Sequence, residues 1–364
     1  MLKIICVAGA RPNFVKIAPL VAEFRKHSQA FDTMLVHTGQ HYDEALSDAF
    51  FRDLEIPPPD IHLDVGSLSH AQQTAEIIKR FEPVLLDARP DYVLVVGDVN
   101  STVACALTAA KLKVGVIHVE AGLRSFDRDM PEEINRVLTD HLSDLLFVTE
   151  ESGRRNLLKE GIAPEKIHFA GNVMIDSLRR QLKAASRSDV LERLGLAQGA
   201  YGLVTLHRPS NVDLPDVFRG ILTALRAISQ HLPVIFPIHP RSEARIREMK
   251  LETYFDGNSN LRRIPPVGYP DFLEMMRHAR LVLTDSGGIQ EETTVLGVPC
   301  LTLRHNTERP STIEMGTNKL VGTQPDVIVA AALQALSGNS APGTLPPLWD
   351  GHAAERIVEV LLRL

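Results

Sequence analysis

Short apolar runs alternate with helix-period segments along all 364 residues, and this alternation constrains the fold more than any other feature. Strand-like runs fall at 2–8, 33–37, 92–97, 114–118, 145–148, 167–169, 202–206, 233–237, 261–264, 280–284 and 299–303. Helical patterns lie between them, at 69–88, 101–111, 151–160, 174–186, 214–230, 242–250 and 270–278. Strand, helix, strand in repetition is the signature of parallel sheets covered on both faces. Eleven strands exceed one open sheet of common size, so the expectation is α/β with two Rossmann-like, doubly wound domains. The boundary is expected at Gly171-Asn172, giving domains 1–172 and 173–350. A final helical pattern, 351–364, is a candidate to cross back onto the first domain.

Composition narrows the function classes. The chain is 44% hydrophobic and 23% charged, as ordinary globular proteins are. A net charge of −6 lacks the basic footprint of a nucleic-acid binder. No apolar run approaches 20 residues, so no membrane span is expected, and the N-terminal run is too short for a signal peptide. Cys6, Cys105 and Cys300 lie within or beside apolar segments without metal-like spacing, which reads as buried free thiols in a reducing cytoplasm.

In open parallel sheets, ligands bind beyond the carboxyl ends of the strands. The polar clusters sit there: Gly9–Lys16, Gly97–Thr102, His118–Arg124, His207–Asn211, His239–Arg241, Asp285–Glu292 and Arg304–Arg309. Two such rows facing each other make an interdomain cleft. The most specific segment is Asp285-Ser286-Gly287-Gly288-Ile289-Gln290-Glu291-Glu292, between the run Leu281–Thr284 and a helical pattern. A strand, a Ser-Gly-Gly turn and a helix start form a phosphate cradle, because glycines admit a close anion and first-turn N–H groups point at it. Glu292, one turn on, suits a ribose diol.

Other residues carry two readings each. Arg11 and Lys16, in a turn after the first strand, can neutralise a diphosphate or serve as surface cations; the motif lacks the glycine pattern of a nicotinamide site. Asp98 is a cleft-floor carboxylate or a helix cap. Glu120 is an acid with a raised pKa or the partner of Arg124. Glu132 and Glu133 follow Pro131 in a first helical turn, where the helix dipole alone explains them. His207 contacts phosphate, trades a proton, or is a hydrogen-bonded loop residue. Arg309 is a phosphate or sugar contact, or an ordinary surface cation.

Together these segments resemble the non-hydrolysing UDP-N-acetylglucosamine 2-epimerase family. The resemblance rests on Gly9-x-Arg11-Pro12-x3-Lys16, Gly39-Gln40-His41, Gly97-Asp98, His118–Arg124, Pro131-Glu132-Glu133-x-Asn135-Arg136, Gly171-Asn172, His207-Arg208, Asp285–Glu292 and Thr307-Glu308-Arg309-Pro310. They occur in the family's order over nearly the whole chain. The resemblance implies a GT-B-like pair of Rossmann-type domains, a homodimer, and interconversion of UDP-GlcNAc and UDP-ManNAc through a 2-acetamidoglucal, with no metal or other cofactor. It further implies Asp98, Glu120, Glu132 and His207 as catalytic residues. Arg11, Lys16, Arg136, Ser286, Gly287, Gly288, Glu292 and Arg309 are implied to bind the UDP-sugar. Departures are Asn13-Phe14 for an acidic-then-small pair, Pro209-Ser210 within His207–Asn211 for a more usual Arg-Glu, and Tyr42 where an Arg is common. The last two fall at positions that, in bacterial members, contribute to allosteric activation by a second UDP-GlcNAc, and relatives act on a diacetamido-glucuronate nucleotide. The competing classes are a GT-B glycosyltransferase, a hydrolysing epimerase and a non-catalytic nucleotide-sugar sensor.

Overall fold

The structure is a computed structural model that describes residues 1–39, 56–257, 260–338 and 343–364. The Gln40-His41 part of one motif, and Tyr42, lie outside the described residues. The chain divides into two compact units, Met1–Arg179 with Pro347–Leu364, and Arg180–Pro346.

The first unit holds a seven-stranded sheet in the order β3-β2-β1-β4-β5-β6-β7. Its strands are β1 (Leu2–Ala8), β2 (Phe31–His37), β3 (Ile61–His62), β4 (Tyr92–Val96), β5 (Gly115–Ala121), β6 (Leu145–Val148) and β7 (Ile167–Phe169). The second holds six, β8 (Gly202–Thr205), β9 (Val234–Pro237), β10 (Leu261–Ile264), β11 (Leu281–Thr284), β12 (Cys300–Thr302) and β13 (Asn318–Leu320), in the order β10-β9-β8-β11-β12-β13. Every pairing is parallel. Central strands are therefore shielded on both faces: Ile4, Ile5, Cys6 and Val93–Val95 are fully buried, as are Leu203, Val204 and Leu281–Leu283.

Both sheets start at the middle and reverse direction there. β1 pairs with both β2 and β4, and β8 with both β9 and β11. The crossovers leave opposite sides at that point, so a crevice opens beyond the carboxyl ends of the two strands. In the first unit those ends run into Gly9-Ala10-Arg11 and Gly97-Asp98. In the second they run into His207-Arg208 and Asp285-Ser286.

Two strands escaped the sequence pattern. β3 and β13 are edge strands of two and three residues, too short to show a period. Gly9–Lys16 is also more than a turn. The helix Arg11–Lys26 begins directly after Ala10, with Pro12 in its first turn, where a missing N–H costs nothing.

The C-terminal segment belongs to the first unit. The Trp349 indole, fully buried, donates Nε1–H to Thr149 O at 2.9 Å. The helix Ala353–Leu361 buries Ile357, Val358 and Leu361, and its first N–H groups, of Ala353 and Ala354, donate to the Asp176 carboxylate at 3.1 and 2.8 Å. Gly171 is required: its φ is +88°, and a Cβ there would lie 2.2 Å from Leu348 O. The three cysteines are buried and unbridged, and burial pushes the Cys6 and Cys300 thiols up to about 12. No helix among the described residues is long and apolar enough to cross a membrane.

At the end of β2 the His37 ring stacks on Phe14, with centroids 5.1 Å apart. Burial and the nearby His62 hold its pKa down at about 4, against a smaller opposing pull from Asp64. Between about pH 6.5 and 4 the unfolded chain binds a proton that the folded chain refuses. His37 therefore removes stability as pH falls through that window, by on the order of 2–3 kcal/mol. His37→Phe is expected to keep the stack and abolish that share of the loss. Urea denaturation of both proteins at pH 7 and pH 4.5 reads it; identical pH dependence would refute the assignment.

Candidate active site

The crevice of the first unit is lined by charge that the sheet itself positions. Asn13 closes its base. Its Oδ1 accepts the Gly9 and Ala10 N–H groups at 3.2 and 3.0 Å, and its Nδ2 donates to Val96 O at 2.9 Å. An aspartate there would accept the same two N–H groups but set an oxygen against the Val96 carbonyl, which gives the Asn13 departure a local reason. Lys16 is one turn further along, buried, with Nζ 2.7 Å from Glu120 Oε1. Gly97 fits beneath it: its φ is +65°, and a Cβ would lie 2.8 Å from Lys16 Nζ.

Glu120 has a strained backbone. Its φ is +76°, and the β5–β6 register slips between Val119 and Ala121. A non-glycine residue there costs roughly 1–3 kcal/mol and persists only where surrounding packing enforces it. The bulge re-aims the side chain. The alternative partner, Arg124, is engaged elsewhere: Nη1 is 2.7 Å from Asp140 Oδ2, and Nε and Nη2 meet the Glu160 carboxylate at 2.8 and 2.7 Å. His118 is sandwiched between Asp140 Oδ1 at 2.7 Å and Gly97 O at 2.9 Å. Asp140 is fully buried, which raises its pKa, but His118 and Arg124 outweigh this and hold it below the ordinary carboxylate range.

Asp98 is half-buried, and its Oδ2 accepts from Arg136 Nε and Nη2 at 2.9 and 2.6 Å. The N-cap of the helix Asn100–Lys111 is Val99, so Asp98 does not act as the cap. Asn135 Nδ2 donates to Asp98 O at 2.9 Å. Arg136 is thus engaged by a carboxylate rather than held out toward solvent. Glu132 is half-buried in the first turn of the helix Pro131–Leu142 and makes no side-chain hydrogen bond among the described residues. Of the first-unit candidates, the structure pairs Asp98 with Arg136 and Glu120 with Lys16, and gives Glu132 no hydrogen bond to either pair. Arg11 opens its helix, and its side chain lies outside what the structure describes.

In the second unit the buried Asp285 carboxylate organises the crevice. It accepts the His207 N–H at 3.1–3.2 Å, the Arg208 N–H at 3.0 Å and Asn211 Nδ2 at 3.2 Å, and lies 3.1 Å from His207 Nδ1. Burial raises its pKa, but His207 and these N–H donors prevail and hold it low. Asp285 occupies His207 Nδ1 and so leaves Nε2, on a side chain 43% exposed, as the nitrogen for a ligand. Asn211 also reaches Leu303 O, which fixes the short helix that Pro209 begins.

Ser286 is the N-cap of the helix Gly287–Leu296, yet its hydroxyl makes no cap hydrogen bond, and the first turn has no acidic residue. The helix start therefore presents N–H groups and its positive dipole end to an anion. Gly287 packs closely on Glu308: a Cβ there would lie 2.6 Å from Oε1 and would displace that buried, ion-paired carboxylate. Glu292 is nearly buried and accepts from the Tyr269 hydroxyl at 2.7 Å. Arg309 is buried rather than a surface cation, with Nε 2.8 Å from Glu291 Oε1. Arg304 meets Glu308 at 2.9 Å, and Arg208 Nη2 is 3.8 Å from the same carboxylate. Burial lowers the Arg304 pKa, as do the neighbouring Arg208 and Arg309, despite Glu308. Three guanidiniums thus converge near the helix start. Arg208, Arg304 and Tyr269 are absent from the sequence-derived site; the first two were visible as charges inside strand-end clusters, while Tyr269 carried no signal. Among the described residues no group of acidic, histidine and cysteine side chains has a metal-binding arrangement.

A family model described as UDP-N-acetylglucosamine 2-epimerase matches residues 23–362. A UDP-N-acetylglucosamine 2-epimerase of Methanocaldococcus jannaschii is 42% identical over 99% of both chains. A UDP-2,3-diacetamido-2,3-dideoxy-D-glucuronate 2-epimerase of Pseudomonas aeruginosa is 41% identical over all of both. The crystal structure of the Methanocaldococcus jannaschii enzyme in complex with UDP-GlcNAc and UDP superposes with a TM-score of 0.93 over the whole of each chain, at 42% identity. Sheet order, the two charged crevices and these matches agree: the chain belongs to the UDP-N-acetylglucosamine 2-epimerase family.

Proposed function

We propose that this isomerase interconverts UDP-N-acetylglucosamine and UDP-N-acetylmannosamine by eliminating UDP to a 2-acetamidoglucal and adding it back. The observation that carries this reading is the gathering of Asp98 with Arg136 and of Glu120 with Lys16 at one sheet reversal. The C2 proton is not next to a carbonyl, so direct deprotonation is very hard. Expelling UDP from C1 as C2 loses its proton avoids a free carbanion. Inverting C2 needs acid/base groups for both faces of the sugar, the work assigned to Asp98, Glu120 and Glu132. Glu120, ion-paired with Lys16, is assigned one of these parts.

Departing UDP needs a cationic, hydrogen-bonding clamp. The N–H groups at Ser286, Gly287 and Gly288 and the Arg208, Arg304 and Arg309 cluster suit the diphosphate. His207 Nε2 adds a phosphate contact or a proton. Glu292, oriented by Tyr269, accepts from the ribose hydroxyls, and Arg11 adds a further cation. No step calls for a metal or another cofactor. We place the enzyme in the cytoplasm, where free thiols persist and nucleotide sugars are at hand. We also assign it a homodimer, which would cover Ile134 and Leu138, exposed on successive turns of the helix Pro131–Leu142. Sedimentation of Ile134→Glu/Leu138→Glu is expected to give the monomer mass; an unchanged mass would remove that face from the interface.

Proton NMR of the protein with UDP-GlcNAc in deuterated water tests the reaction. The expected outcome is UDP-ManNAc together with deuterium at C2 of recovered UDP-GlcNAc, without any acceptor. Binding without exchange favours a sensor, free ManNAc a hydrolysing enzyme, and inertness until an acceptor is added a transferase. Turnover of the UDP-diacetamido-glucuronate but not of UDP-GlcNAc would reassign the sugar. Asp98→Asn and Glu120→Gln are each expected to lower kcat by about 10²–10⁴ with UDP affinity nearly unchanged, by titration calorimetry. Near-native turnover of either removes that residue from the chemistry.

Asp285→Asn tests the second crevice. With its oxygen kept toward the Arg208 N–H, the amide would set its nitrogen against the His207 N–H that reaches Oδ1, at a local cost of about 1–3 kcal/mol. UDP affinity is expected to fall about tenfold or more in calorimetry, and unaltered affinity would show that this loop does not shape the nucleotide site.

A further inference from the structure

Glu133 is 2% exposed and its carboxylate is saturated. Oε2 accepts the Ser125 N–H at 2.9 Å, the Ser125 hydroxyl at 3.0 Å and Arg136 Nη1 at 2.6 Å; Oε1 accepts the Phe126 N–H at 2.9 Å. The dipole of a helix start would ask for none of these. The same guanidinium turns its other edge to Asp98, through Nε and Nη2. One arginine is thus gripped between two carboxylates. One of them is anchored to the main chain of the loop that leaves β5, five and six residues after the strained Glu120. Phe126, at φ +59° and 74% exposed, is held in that conformation with its N–H directed at Glu133.

We propose that Glu133 is a positioning residue for the epimerisation, acting through Arg136 on Asp98, and that it does not touch the substrate. The inference rests on the epimerase reading above. Glu133 adds a second, buried carboxylate to the Arg136–Asp98 pair and so takes side-chain freedom from both members of it. Asp98 then meets the sugar in one orientation, and misplacement of a catalytic group by about 1 Å costs about 10²-fold in rate. The geometry also separates two adjacent carboxylates: Glu132, one residue earlier, has none of these bonds.

The test is a double-mutant cycle with Glu133→Gln and Arg136→Gln, read by kcat and KM for UDP-GlcNAc, UDP affinity and thermal midpoint. Glutamine keeps the volume of Glu133 but offers Arg136 no charge. The expected result is a 10- to 100-fold lower kcat for Glu133→Gln, with KM and UDP affinity within about threefold of wild type. In the Arg136→Gln background the same change is expected to lower kcat less than twofold further, because the path through Arg136 is already cut. An equal effect in both backgrounds, or a native kcat with only a lower thermal midpoint, overturns the proposal. Should Glu133→Gln not fold, Glu133→Asp, which keeps the charge on a shorter arm, takes its place in the cycle. Native kcat for that variant refutes the role, as does failure of both variants to fold, which would make Glu133 structural. A wild-type protein that exchanges no C2 proton refutes the epimerase reading and this inference with it; wild-type exchange with an additive cycle refutes the role of Glu133 alone.

Discussion

A charge buried at the end of a parallel sheet survives only where a neighbouring segment supplies its partner, and both crevices are organised by that requirement. Glu120, leaving β5, meets Lys16 from the helix that follows β1. Asp285, leaving β11, meets the main chain that leaves β8. In each case the partners come from elements around the sheet reversal, so pairing the charge also fixes the shape of the crevice. Removing one partner from such a pair leaves a charge in low dielectric. The clusters are therefore rigid before any ligand arrives, and rigidity of acceptors and donors is what a site acting on a departing anion requires.

The fold was largely legible because parallel strands buried on both faces are continuous apolar runs. It failed where that physics fades. Edge strands such as β3 and β13 are too short for a run, and the helix after β1 hides behind Pro12 and Asn13, which look like turn formers until Asn13 is seen tying Gly9, Ala10 and Val96 together. The glycine-rich helix start after β11 was readable for a different reason: a side chain at Gly287 would displace the Glu308 carboxylate, and residue type reports that close approach directly. The positive φ of Glu120 was not readable, since nothing in the identity of a glutamate signals a left-handed backbone. Arg309 illustrates the converse. A cation beside a phosphate cradle invites assignment to the ligand, yet its guanidinium is also buried against Glu291.

On the proposed route the elimination must be reversed, and that sets a demand on the crevice of the second unit. Expelling UDP is easy to imagine; keeping it is harder, because a free diphosphate is well solvated and tends to leave. Converging Arg208, Arg304 and Arg309 raise the local positive potential, while the helix start adds directional N–H donors. Their mutual repulsion is relieved by Glu308 and Glu291, so the cluster does not depend on an anion to fold.

Adjacent glutamates show most clearly what one-dimensional reading cannot separate. Glu132 and Glu133 share charge, helix turn and dipole environment, so any argument from composition or capping applies to both equally. On a helix, however, consecutive side chains point about 100° apart. One direction leads from Pro131–Leu142 into the loop after β5 and to Arg136; the other does not. Burial then sorts them: taking a carboxylate out of water is costly unless donors meet it, and buried Glu133 finds four, whereas half-buried Glu132 keeps contact with solvent. On the proposed function, the same desolvation cost separates an inner glutamate that supports Arg136 and Asp98 from an outer one assigned to chemistry.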